Sequence, residues 1–167
     1  MKKLILFVVI LFAFTAATFA QASATSTATA VIVGPIGITN TANMNFGNVA
    51  VNATPGTVVL APDGTRSVTG GCTLPATVGS PAAASFNVTG AANYTYSISL
   101  PAAALTITDG TNNMTVTLFT STPTPTGTLS AAGAQTLTVG GTLNVGGGQV
   151  PGTYTSATPF TVTVNYN

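Results

Sequence analysis

The sequence predicts an all-β protein, a sandwich or a barrel built from short strands. Runs of β-branched and aromatic residues recur along the chain, and within them apolar side chains alternate with threonine or serine. Glycine- and proline-containing turns separate these runs, and beyond the apolar N-terminal stretch no segment has helical periodicity. Threonine makes up 33 of the 167 residues. It favours strands and also hydrogen-bonds water, so it suits the outer face of a sheet.

The N-terminal segment predicts a secretory signal peptide over residues 1–20. Met1, Lys2 and Lys3 form a short positive region, the apolar run 4–14 follows, and small residues allow cleavage after Ala20 or Ala22. The apolar run is too short for a stable membrane span. We therefore expect an exported chain, extracellular or at the cell surface with the periplasm as a transit compartment. The mature chain is expected to hold no stable membrane span.

Residues 21–34 form a β-prone arm, and residues 35–167 are predicted to form a single domain. Within the arm, the β-branched run 27–33 ends at Gly34 and Pro35 and carries no charge. Two interpretations stay open for this run. It is either the first strand of its own sandwich, or a donor strand that adds to the open sheet edge of a neighbouring subunit.

The remaining strands follow in order, separated by turn residues. The strict alternation of period two assigns a core face to several of them. Three hairpins are predicted: 56–60 with 65–69 around Asp63, 85–89 with 93–100 around Gly90, and 105–108 with 114–119 around Asp109. Two further runs, 135–139 and 142–145, meet at Gly140 and Gly141, the run 160–167 closes the chain, and 120–128 and 146–152 are predicted loops. The predicted core face comprises Leu137 and Val139, then Tyr94, Tyr96, Ile98 and Leu100, and finally Phe160, Val162, Val164 and Tyr166.

Charged side chains are nearly absent, and this limits the possible functions. Only 3% of the residues are charged, against about 25% in ordinary domains. Past Lys3 the charged residues are Asp63, Arg66 and Asp109, and the chain has no histidine. One arginine cannot bind a phosphate backbone or an anionic membrane, so nucleic acid is not an expected partner. We predict no enzyme activity, no cofactor, and no catalytic, cofactor-binding or metal-binding residue, since both aspartates precede glycines in turns.

Cys72 is the only cysteine of the chain. A single cysteine in an exported protein makes no internal disulfide, so it is either buried or paired between molecules. Burial is the prediction, because free cysteine is among the most buried residue types.

Several short motifs resemble a known family. The run 141–145, the Gly152-Thr153-Tyr154 triplet and the terminal alternating run 160–166 resemble the end of the secreted bacterial domain-of-unknown-function family numbered 4402. The Asn45-Phe46-Gly47 and Gly64-Thr65-Arg66 segments fit the same family, so the resemblance covers most of the chain after the leader. The glycine–tyrosine motif and final strand are also similar to spore-coat-U-type and chaperone–usher pilin domains. This likeness implies an immunoglobulin-like antiparallel β-sandwich of about 8–10 strands, although such domains often hold a disulfide that Cys72 alone cannot form.

Together these features predict a non-catalytic structural surface protein, a fimbria-like or surface-layer subunit that associates through its sheet edges. The alternative is a monomeric secreted domain that is adhesive or binds glycans. The expected partners are further copies of the chain or related surface subunits, and a periplasmic chaperone is a possible partner. A near-zero net charge favours such association.

Overall fold

The computed structural model describes residues 21–167. The predicted signal peptide, residues 1–20, lies outside this range. In the described part the chain is all-β, without helix, and its strands form two antiparallel sheets in a sandwich-like fold. Residues 33–167 form one compact unit. The ten strands are β1 (Gly37–Ala42), β2 (Ala50–Leu60), β3 (Arg66–Thr73), β4 (Ala84–Thr89), β5 (Thr95–Ser99), β6 (Leu105–Thr108), β7 (Asn113–Thr122), β8 (Thr126–Thr128), β9 (Ala134–Val145) and β10 (Thr163–Tyr166).

The larger sheet is organised around β9. It has seven strands in the order β1-β4-β9-β2-β3, with β7 paired to β9 and β6 paired to β7. Val139 pairs with Ala84 of β4 and with Ser121 of β7, so these two strands lie on opposite edges of β9. Further along, residues 141–145 of β9 pair with β2 instead of β4. The smaller sheet has three strands in the order β10-β5-β8.

The hydrophobic core consists of two clusters. The first lies between the β1–β4 side of the large sheet and the small sheet, and the second lies around β2, β3, β6, β7 and the end of β9. Met44 and Phe119 pack against both clusters. The buried members of the first are Ala84, Val88, Tyr96, Leu129, Leu137, Val139, Val162 and Val164. Those of the second are Val58, Cys72, Val116, Leu143 and Val145.

The alternation of the sequence predicts most of these core positions correctly. Tyr96, Leu137 and Val139 are fully buried, and Val162 and Val164 nearly so. Ile98, Leu100, Phe160 and Tyr166 are half-buried against the first cluster. Tyr94 is the exception, since it is 44% exposed. It precedes β5 rather than lying in it, so the strict period of the strand does not extend to it.

Two of the predicted hairpins are confirmed, and one is wrong. β2 pairs with β3, and β6 pairs with β7. The runs around Gly90 do not pair, because β4 belongs to the large sheet and β5 to the small one. Gly90 lies at the crossing between the sheets, where its N–H donates to the carbonyl of Gly133. Alternation identifies strands, but it does not identify which strands are partners.

Four further segments differ from the prediction. The two runs that meet at Gly140 and Gly141 are one strand, β9, because the glycines continue its extended backbone. The predicted loop 120–128 contains the end of β7 and all of β8. The run 27–33 is not a strand, and the first strand of the domain begins at Gly37. The terminal strand is also shorter than expected, covering Thr163–Tyr166.

Candidate functional site

The two aspartates accept hydrogen bonds within their own turns. Asp63 Oδ1 accepts hydrogen bonds from the backbone N–H of Thr65 at 2.9 Å and from its hydroxyl at 2.7 Å. The hydroxyl bond, followed by the backbone bond, lowers the pKa of Asp63. The Asp63 carboxylate therefore acts locally as the turn residue that the sequence predicts.

Asp109 makes the more extensive turn. Its carboxylate accepts the backbone N–H of Asn112 at 2.6 Å, the backbone N–H of Thr111 at 2.8 Å and the side-chain amide of Asn112 at 2.9 Å. The backbone and side-chain bonds of Asn112, followed by the backbone bond of Thr111, lower the pKa of Asp109 to about 2. The group is therefore ionised at every ordinary pH.

Arg66 is also used structurally. Its Nη1 donates to the carbonyls of Phe46 and of Asn48, the latter at 3.1 Å. Gly47 lies between these two residues with a φ of 66°, a left-handed conformation that glycine adopts at no steric cost. The guanidinium thus holds the 46–48 turn against the start of β3 by hydrogen bonds. This contact joins the Asn45-Phe46-Gly47 and Gly64-Thr65-Arg66 motifs, which are separate segments in the sequence.

Cys72 is buried, as predicted. Its side chain is 4% exposed in the second core cluster. Burial raises the pKa of its thiol, and a protonated thiol is a poor nucleophile. Within residues 21–167 there is no group of three or more side chains that could hold a metal ion.

No helix in the described part of the chain is long and apolar enough to cross a membrane.

Exposed aromatic surface is concentrated at Tyr94. Its ring packs edge-on against Tyr166, with 5.6 Å between the ring centroids. Tyr166 is held in place because its hydroxyl donates to the carbonyl of Gly34 and accepts the N–H of Ala91. Tyr154 donates its hydroxyl to the carbonyl of Val150 at 2.7 Å, so it belongs to a structural turn.

The strand edges are the other exposed feature of the domain. Strands β1, β3 and β6 of the large sheet, and β8 and β10 of the small one, are each paired with one neighbouring strand. Apart from Arg66 at the start of β3, none of them carries a charged side chain. Proteins commonly protect such edges with charges, prolines or bulges.

The edge of β6 borders a groove of about 360 Å³. The groove lies between this strand and a later loop, and four of its lining residues come from the strand and its approach. Beyond it, Thr108 forms an isolated antiparallel bridge with Thr155. The lining residues are Ala104, Leu105, Thr106, Thr108, Ala157, Thr158 and Pro159, none of them charged.

The arm, residues 21–34, exposes both its side chains and its backbone. Every residue from 21 to 34 is exposed, with Val31 at 83% and Ile32 at 91%. Its backbone N–H and C=O groups form no backbone–backbone hydrogen bond with any other described residue. Large aliphatic side chains are normally placed where they bury surface.

The fold and these surfaces define an all-β domain whose few titratable groups are tied into its own structure and whose exposed features are strand edges, a groove and the arm. The chain belongs to the family described as Domain of unknown function (DUF4402), whose model matches residues 36–166. The arm precedes the matched region. No curated protein matches the chain. No solved structure matches it either.

Proposed function

We propose that this protein is an exported, non-catalytic structural subunit of the cell surface, whose copies associate into a fimbria-like or layer-like assembly through strand addition. The arm carries the proposal. It is uncharged, rich in β-formers, exposed and without backbone–backbone hydrogen bonds to the rest of the described chain. Adding such a segment to a sheet edge pairs its backbone and can bury one alternate set of its side chains, either Val31 and Val33 or Ile32.

The uncharged strand edges, to which an arm could add, support the same proposal. An edge strand without charges is a template for another strand, and nothing electrostatic opposes a neutral arm. After cleavage the chain carries one arginine and two aspartates, so copies repel each other only weakly. The likeness to pilin domains suggests that a periplasmic chaperone protects these surfaces until assembly.

The titratable groups support a non-catalytic role. Both carboxylates are held ionised by their own turns, and the thiol is buried and protonated. None of these groups has the perturbation towards neutral pH that a general acid, a general base or a nucleophile requires.

The test begins with the full-length gene, expressed with its leader in a bacterial host. We expect the exported chain to begin at Gln21 or Ser23 by N-terminal sequencing, and to sediment as a concentration-dependent series of assemblies. An internal deletion of residues 25–33 keeps the leader and the cleavage region. It should leave a folded monomer, because no residue of 25–33 belongs to either core cluster.

A monomeric wild-type chain at all concentrations would refute the assembly proposal, as would unchanged assembly after the deletion. Loss of folding in the deletion variant would show instead that the run 27–33 is needed by its own domain. Negative-stain microscopy of cells with and without the gene provides the matching observation on the surface itself.

The alternative function, a monomeric adhesive or glycan-binding domain, is favoured by the exposed ring of Tyr94. Aromatic faces stack on sugars, and this ring is fixed against Tyr166. On this alternative, Tyr94→Ala abolishes retention on insoluble polysaccharide, and deletion of residues 25–33 does not. The structural proposal expects the reverse dependence for assembly.

A further inference from the structure

We propose that the free edge of β6, together with the groove beside it, is the acceptor for residues 27–33 of a second copy of this chain. This inference rests on the proposed function, which requires an acceptor but does not identify one. The arm would extend the large sheet at β6, and its alternate side chains would enter the groove.

The backbone of β6 presents free hydrogen-bonding groups at this groove. Thr108 and Thr155 exchange both of their backbone hydrogen bonds, each at 2.9 Å, so the N–H and C=O of Thr108 point away from β7. In an antiparallel strand the groups two residues apart point to the same edge. The N–H and C=O of Thr106 therefore also point away from β7, and Thr106 lines the groove.

The present chain does not continue the pairing beyond Thr155. Residues 157–159 line the opposite side of the groove but form no strand. Within residues 21–167, no backbone hydrogen bond between a loop and Thr106 is formed. The edge of β6 therefore keeps unpaired backbone next to the single bridge, and the groove separates it from residues 157–159.

The arm matches this opening in chemistry. The groove lining is uncharged and includes Ala104, Leu105, Ala157 and Pro159. The arm is uncharged too, and its last residues before Gly34 are the exposed Val31, Ile32 and Val33. In an extended strand alternate residues face the same side, so one apolar set can enter the groove while the backbone completes the ladder.

Three of the four other free edges are less suitable. The pairing of β1 is interrupted by a bulge between Asn40 and Ala42, and that of β3 is irregular next to Gly70, which has a φ of 63°. β8 has three residues and directly follows Pro125. Bulges and prolines of this kind obstruct strand addition.

The decisive comparison is between two matched proline variants, Thr106→Pro and Thr128→Pro. Proline removes the N–H and blocks the edge, but it is tolerated where the N–H faces away from the sheet. Thr128 of β8 meets this condition as well. The N–H of its neighbour Leu129 donates to the carbonyl of Tyr94, the residue just before β5, so the N–H of Thr128 points away from β5. Each variant thus loses one free edge and no ladder bond.

We expect Thr106→Pro to weaken the association of the exported chain by about tenfold or more, the equivalent of a blocked ladder bond. Thr128→Pro should associate like the wild type. Equal association of Thr106→Pro and the wild type would overturn the β6 assignment. If the deletion of 25–33 still abolishes assembly in that case, the proposed function stands and only the acceptor is wrong.

Cross-linking provides a second measurement that does not depend on the tolerance for proline. In a Cys72→Ala background, chains with Val31→Cys, Ile32→Cys or Val33→Cys are mixed with chains carrying Thr106→Cys and oxidised with glutathione disulfide. A disulfide needs Cα atoms within about 7 Å, so only adjacent strands give a product. Hybrid dimers with Thr106→Cys, and none with Thr128→Cys, support the assignment. No product with Thr106→Cys at any of the three arm positions, or equal yields at both edges, overturns it.

Discussion

Among single residues, Tyr96 has closely fitted surroundings in this domain's core. Tyr96 is fully buried, yet its hydroxyl donates to Oε1 of Gln135 at 2.9 Å. An ideal Cβ on Gly127 would lie 2.3 Å from the Tyr96 ring, so only glycine fits beside it. The alternation of the sequence predicts the inward direction of Tyr96. It cannot predict the partners, because Gln135 and Gly127 come from other strands.

The Asp109 carboxylate is expected to make the folded state less stable as the pH falls. Its pKa falls from an ordinary value of 3.8 to about 2 on folding. A lowered pKa contributes stability above the unfolded value, and this contribution is lost as pH falls through the folded value. We predict that the melting temperature declines between pH 4 and pH 2, and that Asp109→Asn flattens this decline while lowering the melting temperature at neutral pH.

Thermal unfolding followed by circular dichroism at a series of pH values measures this effect. Asp63→Asn is the matched control, since that carboxylate also caps a turn but accepts its hydrogen bonds from Thr65 alone. Its variant should change the pH dependence less. An identical decline in the wild type and in Asp109→Asn would contradict the role given to the Asp109 turn.

At the scale of elements, β9 is a strand whose extent the sequence pattern does not predict correctly. Its two apolar runs are predicted correctly, but the sequence pattern predicts that two strands meet at Gly140 and Gly141. In the structure they let the strand pass close to its neighbours, where a Cβ on Gly140 would lie 2.1 Å from the carbonyl oxygen of Leu60. A glycine pair is typical both of a turn and of a close backbone approach. Only the partner strands distinguish these two cases.

Gly140→Ala should therefore destabilise the protein, by about 3 kcal/mol, because the obstacle is backbone and cannot rotate away. Gly34→Ala is the matched control, since a Cβ at Gly34 meets nothing within 4 Å. Its effect should stay within about 0.5 kcal/mol. Denaturant unfolding of both variants measures the difference. Equal stabilities would show that β9 relaxes around the new methyl group and that Gly140 is not required.

The sequence separation between contacting segments explains how much of the fold could be predicted. Hairpins around Asp63 and Asp109 are local, and their turn chemistry is visible in the sequence. The link from β4 to β5 crosses between sheets, and the groove beside β6 depends on residues 157–159, about fifty positions later. Such long-range relations leave no periodic signal. The family, by contrast, is indicated by short motifs, and the family match over residues 36–166 contains all of them.

For the whole molecule, the core is divided into two clusters, and the contacts between them decide whether the domain unfolds as one unit. β9 runs through both clusters, and Met44 and Phe119 pack against both. The ring of Phe119 also packs on Phe160, with 5.1 Å between centroids. Coupling of the two halves therefore depends on few side chains, and a cooperative transition requires that their packing be intact.

Phe119→Ala tests this coupling. The substitution removes a ring shared by both clusters. We therefore expect the free energy of unfolding to fall by about 3 kcal/mol, at the lower end of phenylalanine truncations because the ring is half-buried.

Phe46→Ala is the matched control, since Phe46 is also half-buried but packs against the second cluster alone. In the wild type and in Phe46→Ala, near-ultraviolet circular dichroism, which reports the ordered tyrosines and among them Tyr96 and Tyr166 of the first cluster, should coincide with the far-ultraviolet signal during denaturant unfolding. In Phe119→Ala the two transitions should separate, because one of the two side chains that pack against both clusters is lost and only Met44 and β9 still link them. Coincident transitions in all three proteins would place the coupling in β9 itself rather than in the shared ring.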